Sequence, residues 1–418
     1  MKKIITFILT ALLMTVSVYA DGFAVESDRA VNAAAPFDKK QVSILWSTSE
    51  AETAGLPVVC GEQQEYVLMP VSNKISKLTS AKGELTAFCE LSEKVSENIR
   101  GAIDGTTLIQ PARTSVYAIN TEDMSIICSR TFGEITTDCA VRNNLAYFGY
   151  MHSDGGYRFI CADISKGLEP VWEYSSDKAL TAPSSYGEFI VFSSGEKLII
   201  RTADGEFIEN PVGAEITSVM AGKYAVFMAC SDNTVKKLRL EDSGKMEADS
   251  LMSCKVGSEL TDMAEYNNRV YVGSADGFFI LDGLNMEIDK AYNALKNSAA
   301  PLVCYGNGQR VFTVSWSEQE QRDILYSILD NESGQTLSEV IKIIDFTDGY
   351  FTASQNGVMY FRTADGKLWA IAQKEINYLV IALKVFLTLA VFAMGYIILR
   401  GWLKKHGKDK SPFLRGQQ

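Results

Sequence analysis

Along most of this chain the hydrophobic residues come in short paired runs, not at helical spacing. Residues 268–282 read NRVYVGSADGFFILD, with Val270-Tyr271-Val272 and Phe278-Phe279-Ile280-Leu281 flanking the polar turn Ser274-Ala275-Asp276-Gly277. β-Branched and aromatic runs around an Asp-Gly turn predict a β-hairpin. The unit returns, degraded, at roughly 40-residue spacing, within the range of propeller blades. The clearest hairpins are expected at 65–80, 106–120, 145–164, 188–202, 224–240, 269–282, 310–329 and 358–371. A less apolar strand often follows, at 83–89, 124–131, 170–174 and 205–209, and another often precedes, at 56–60, 137–141, 216–220 and 301–304. Each unit therefore has four strands.

The central runs, such as Phe189-Ile190-Val191-Phe192 and Ala225-Val226-Phe227-Met228, are continuously apolar. Both faces of such a strand are buried. No amphipathic helix interrupts the region to cover a sheet face, so sheets must cover sheets. Four-stranded sheets stacked around an axis meet this requirement, which makes the expected fold an all-β propeller over residues 41–373. The count gives eight blades, with seven as the alternative because the first two and the seventh repeats are weak. A pair of β-sandwiches does not accommodate about thirty strands in one run. The last hairpin, near 358–371, has no outer strand after it, while Val42-Ser43-Ile44-Leu45-Trp46 has no hairpin partner of its own. Pairing 41–47 beside 366–372 would build one blade from both ends of the domain and remove an open edge.

The two ends carry different signals. Lys2 and Lys3, an apolar run from Ile4 to Val18, and the small-residue pattern Val18-Tyr19-Ala20 predict a signal peptide over 1–20, cut after Ala20. Residues 21–40 are polar and Ala-rich without a strand pattern and read as a linker. Residues 378–399, YLVIALKVFLTLAVFAMGYIIL, predict a single transmembrane helix within 374–400, with Lys384 snorkelling from its N-terminal part. Arg400, Lys404, Lys405, Lys408, Lys410 and Arg415 then make 401–418 a basic cytoplasmic tail by the positive-inside rule. The propeller would lie outside, extracellular or periplasmic. The charge agrees: the chain has formal net charge −11, and residues 21–377 hold 31 basic against 50 acidic side chains. An acidic exported domain is no partner for nucleic acid.

Val-Tyr-Val-Gly-Ser-Ala-Asp-Gly-Phe-Phe-Ile-Leu-Asp-Gly at 270–283 and Val-Met-Tyr-Phe-Arg-Thr-Ala-Asp-Gly-Lys-Leu-Trp-Ala-Ile at 358–371 resemble the repeat of the quinoprotein-like (PQQ-like) propellers. Residues 113–120 (RTSVYAIN) and Glu169-Pro170-Val171-Trp172 match it more weakly, and the likeness covers most of 41–373. That family includes dehydrogenases using pyrroloquinoline quinone and non-enzymatic envelope scaffolds. Likeness to the enzymatic members would imply a Ca²⁺ held by carboxylate and amide oxygens, a catalytic Asp and often adjacent cysteines over the quinone.

The residues do not supply that constellation. There is no adjacent cysteine pair and no Cys-x-x-Cys-His haem site. Asp204, Asp276 and Asp365 each sit in an Ala-Asp-Gly turn, where Asp and Gly serve left-handed φ and a local side-chain bond. Only His152 and His406 are available for acid–base or metal chemistry. The cysteines, Cys60, Cys89, Cys128, Cys139, Cys161, Cys230, Cys254 and Cys304, mostly fall in apolar strands and read as buried thiols, with one or two bridges as the alternative. Trp46, Trp172, Trp316 and Trp369 read as blade-packing residues, and Trp402 as part of an interfacial aromatic belt. No catalytic, cofactor-binding or metal residue is therefore nominated, and no cofactor is expected. The expectation is a membrane-anchored exported propeller acting as a non-catalytic binding platform for a protein or cell-envelope ligand. A quinoprotein oxidoreductase is the alternative.

Overall fold

The computed structural model describes residues 30–31, 42–48, 55–96, 98–305, 309–331, 334–343, 346–363, 366–373 and 378–406. The chain divides into two units, 1–373 and 374–418. The first is an eight-bladed propeller, which settles the count that the repeats left at seven or eight. Blades 1 to 6 run in chain order, each a meander of neighbouring antiparallel strands. Blade 1 is Val58–Cys60, Tyr66–Val71, Lys74–Thr79 and Leu85–Glu90. Blade 3 adds a short second piece, Glu134–Ile135, beside its inner strand Ala140–Arg142. Blade 7 runs from Ala299–Cys304 to Gly334–Ile343.

The apolar runs divide their residues between two interfaces. Along the central strands of blade 4, Val191, Leu198 and Ile200 face blade 5, whereas Phe192 and Ile199 face blade 3. Alternate side chains of one strand point to opposite faces of its sheet, so a strand covered on both faces has no polar position to show. Eight buried clusters result, one between each successive pair of blades. The seam between blades 3 and 4 is held by Phe159 stacked on Phe192 at 4.0 Å, with Trp172 packed beside them.

The ring closes as expected. Val42–Ser47 pairs antiparallel with Leu368–Gln373, so blade 8 is Phe346–Ala353, Val358–Thr363, Leu368–Gln373 and Val42–Ser47. Trp46 then crosses to blade 1. Its indole Nε1 donates to the Ser80 carbonyl at 2.8 Å, and its ring fills the space beside Gly83, whose φ is +67°. A Cβ at position 83 would lie 2.6 Å from that ring, so the turn requires glycine for both φ and room. Trp46, Trp172 and Trp369 all lie in interblade clusters, the role expected of them.

Within the stretch 21–40, read as a linker without a strand pattern, the described residues form one short strand. Ala30–Val31 forms a parallel pair with the inner strand of blade 7, Ala30 beside Val303 and Val31 beside Cys304. Two residues are too few to carry a period, so no pattern marks them. The signal peptide expected over 1–20, and residues 407–418 of the basic tail expected over 401–418, lie outside the described residues.

The second unit contains one helix, α1, Tyr378–His406. Between 386 and 402 its large apolar side chains are exposed, Phe392 by 72% and Ile398 by 71%. Among the described residues no helix is long and apolar enough to cross a membrane. The expected transmembrane span thus finds no support in the described residues.

Candidate functional site

Antiparallel strands alternate in direction, so each blade sends its middle turn and its link to the next blade to one face of the ring. On that face a groove of about 1060 Å³ opens between blades 3 and 4. Its first wall is the five-residue turn 152–156 between Leu145–Met151 and Tyr157–Asp163 of blade 3. The equivalent turns at 72–73, 195–196 and 275–276 have two residues. The His-Ser-Asp-Gly-Gly turn is held from within. Gly156 N–H donates to Asp154 Oδ1 at 2.8 Å, His152 N–H donates to the Gly156 carbonyl at 2.8 Å, and Gly155 takes φ +82°. The opposite wall is the turn Gly195-Glu196 of blade 4, with Glu215 arriving from the link to blade 5. The floor is tied by Ser176 and Ser194, whose hydroxyls lie 2.7 Å apart, and Lys178 N–H donates to Ser176 Oγ at 2.8 Å.

Five carboxylates (Asp154, Asp177, Glu196, Glu209, Glu215) and three cations (Arg158, Lys178, Lys197) line the groove. Several are locked into pairs. Lys197 Nζ lies 2.6 Å from Glu209 Oε2, and Tyr174 Oη donates to Glu209 Oε1 at 3.0 Å. The bond from Lys197 holds the Glu209 carboxyl below its ordinary value, and the same contact raises Lys197. Burial, then the bond to Glu209, pushes Tyr174 up to about 12, so its hydroxyl is a neutral donor at any physiological pH. Arg158 bridges Asp154 at 2.7 Å and Glu173 at 3.4 Å. The Asp154 carboxyl is lowered chiefly by the Gly156 N–H. Asp177, Glu196, Glu215 and Lys178 form no ion pair among the described residues and face the open groove. A wide polar trough with ion-paired walls and unpaired charges among the described residues at its rim suits contact with a polar chain.

The aspartates weighed for quinone chemistry do not converge. Asp276 lies in a middle turn of blade 6, where Ser258 Oγ donates to it, and Asp204 lies in an outer turn of blade 4 on the opposite face. Asp365 lies outside the described residues. Gly205 and Gly366 take φ +101° and +80°, but Gly277 is a strand residue paired with Ser274. Left-handed φ thus explains two of the three Ala-Asp-Gly turns. Among the described residues no group of three or more His, Cys, Asp or Glu side chains could hold a metal ion. All eight cysteines are free thiols, six of them buried.

The sequence reading nominated no site residue, and it missed the groove. Its residues come from blades 3 and 4 and from the links that follow them. The one local signal was the long His-Ser-Asp-Gly-Gly turn.

No family model matches the chain, and no curated protein matches it. Among solved structures, apo AztD from Citrobacter koseri is similar with a TM-score of 0.50 and 10% identity, over 76% of this chain and 89% of that one. BamB from Moraxella catarrhalis gives 0.49 and 14% over 85% and 99%, and the Myceliophteria thermophila Cps50 (Swd1) β-propeller domain gives 0.46 and 10% over 66% and 96%. At these identities the likeness to AztD extends to the fold alone, the all-β propeller.

Proposed function

We propose that this chain is a non-catalytic binding platform, exported and held at the cell envelope by its C-terminal helix, that presents the face around blades 3 and 4 to a protein or envelope ligand. The quinoprotein-like repeat would then serve as scaffold. The observation that carries the reading is the groove itself: a mixed-charge trough built by blades 3 and 4 and the links that follow them, with Asp177, Glu196 and Lys178 facing its opening. Rigid elements carrying recognition in their loops are a recurrent arrangement. The extracytoplasmic placement rests on the leader at 1–20, the apolar stretch 378–399 and the cations after it.

A photo-crosslinking amino acid at Lys178, compared with one at Asp204 on the opposite face, tests the platform. In native membranes the first should give a discrete crosslinked species that Asp177→Ala/Glu196→Ala weakens; equal labelling from both positions would overturn the reading. Protease added to intact cells, or to spheroplasts, should degrade the propeller and spare a tag placed after Gln418. Loss of that tag with the propeller would overturn the anchoring.

A further inference from the structure

The propeller's innermost strands face its channel with one hydrogen-bonding edge, and an open edge accepts another strand. Among the inner strands of six residues or more, Ile216–Ala221, Leu260–Tyr266 and Phe346–Ala353 all carry polar or charged side chains that discourage pairing. The inner strand of blade 7, Ala-Ala-Pro-Leu-Val-Cys at Ala299–Cys304, carries none. Pro301 has no N–H to offer, and the pairing with Arg310–Ser317 shifts register between Ala299 and Leu302. The usable part of the edge is therefore the end after the proline. Ala30–Val31 pairs there, opposite Val303 and Cys304, and among the described residues no other blade has an added strand on its inner edge.

We propose that the channel-side edge of blade 7 is a strand-accepting site, held in cis by the chain's own Ala30–Val31 and open by exchange to an extended peptide with small apolar residues at the two paired positions. Two paired residues supply one or two net hydrogen bonds, each a small contribution. What holds the segment is its tether, which gives a local concentration in the millimolar range. A free peptide must exceed that concentration, or bring a longer pairing run, to displace it. The site lies in the channel and not at the groove on blades 3 and 4, so it stands or falls separately from the proposed platform.

The test uses the full chain, Ala30→Pro/Val31→Pro, and a synthetic peptide of residues 26–35. Hydrogen exchange at Val303–Tyr305 should be at least tenfold faster in the double variant, with blades 1 to 4 unchanged. Adding the peptide to the variant should restore protection, and the unaltered chain should need far more peptide to bind it. Unaltered exchange, or no restoration, would overturn the site or its exchange respectively. Paired residues on adjacent strands sit about 5 Å apart, within disulfide reach. Val31→Cys should therefore bridge to the native Cys304 under diamide, as a monomer in peptide mapping. A bridged dimer would show a second copy's segment in the edge and overturn the cis arrangement.

Discussion

At the scale of single residues, the polar groups sealed between blades govern stability. Tyr271 is fully buried, and its hydroxyl donates to Asp330 Oδ2 at 2.8 Å, while Arg269 Nε lies 3.4 Å from the same oxygen and Gln309 reaches the hydroxyl from blade 7. Burial and then the Asp330 charge push the Tyr271 hydroxyl well up. Tyr271→Phe leaves the buried Asp330 carboxylate one donor short and should cost about 1–3 kcal/mol in urea unfolding; an unshifted midpoint would discount the bond. Glu265 illustrates the opposite sign. Burial raises its carboxyl above the ordinary value of 4.5, despite the N–H of Asn268. The folded chain therefore keeps this proton to higher pH than the unfolded chain, and the group lowers stability as pH rises past 4.5. Glu265→Gln should melt higher than the parent at pH 7 and equally at pH 4. Melting curves that differ by a constant amount across that range would remove the carboxyl as the cause.

Between elements, the repeat supplies a latch that its hydrophobic pattern hides. Lys77 and Lys237 occupy the same place in the third strands of blades 1 and 5, each followed by a leucine. Lys77 Nζ donates to the Thr121 carbonyl and Lys237 Nζ to the Leu284 carbonyl, both at 2.7 Å, in the outer turn of the next blade. Burial lowers Lys237, yet its aliphatic stem packs in the seam while its head reaches the carbonyl. Lys237→Met keeps the stem and removes the donor. It should cost about 1–2 kcal/mol, and the pair Lys77→Met/Lys237→Met should be additive because the two seams share no residue. Non-additive denaturation midpoints would mean the seams communicate around the ring.

For the whole molecule, closure decides. Val42–Ser47 completes blade 8, and Trp46 and Tyr360 carry that blade onto blade 1 through the cluster around Val59, Val67 and Leu78. Removing residues up to 40 takes away, among the described residues, the two-residue strand on blade 7, so the melting temperature should fall slightly. Removing residues up to 48 strips blade 8 of its outer strand and opens the seam. Its melting temperature should fall by roughly 5–10 °C, on the order of 5 kcal/mol for a lost strand and a half-buried Trp. Two truncations with the same melting temperature would refute closure by this strand.

The alternation hidden inside the apolar runs determined the propeller without help from tertiary structure. A run such as Phe189-Ile190-Val191-Phe192, with no polar position, can only lie between two covered faces, and turn residues at regular spacing fix where each hairpin folds. Even closure was legible, because an unpaired strand at one end and a missing one at the other admit a single pairing. Position around the ring was not. The groove gathers Asp154, Glu196 and Glu215 across up to 61 residues of chain from blades 3 and 4 and the link to blade 5, and a one-dimensional pattern carries no information on which turns share a face until the blades are stacked. Ala30–Val31 was hidden for a related reason: a two-residue strand has no period, and its partner edge on blade 7 exists only once the ring places the inner strand of that blade against the channel.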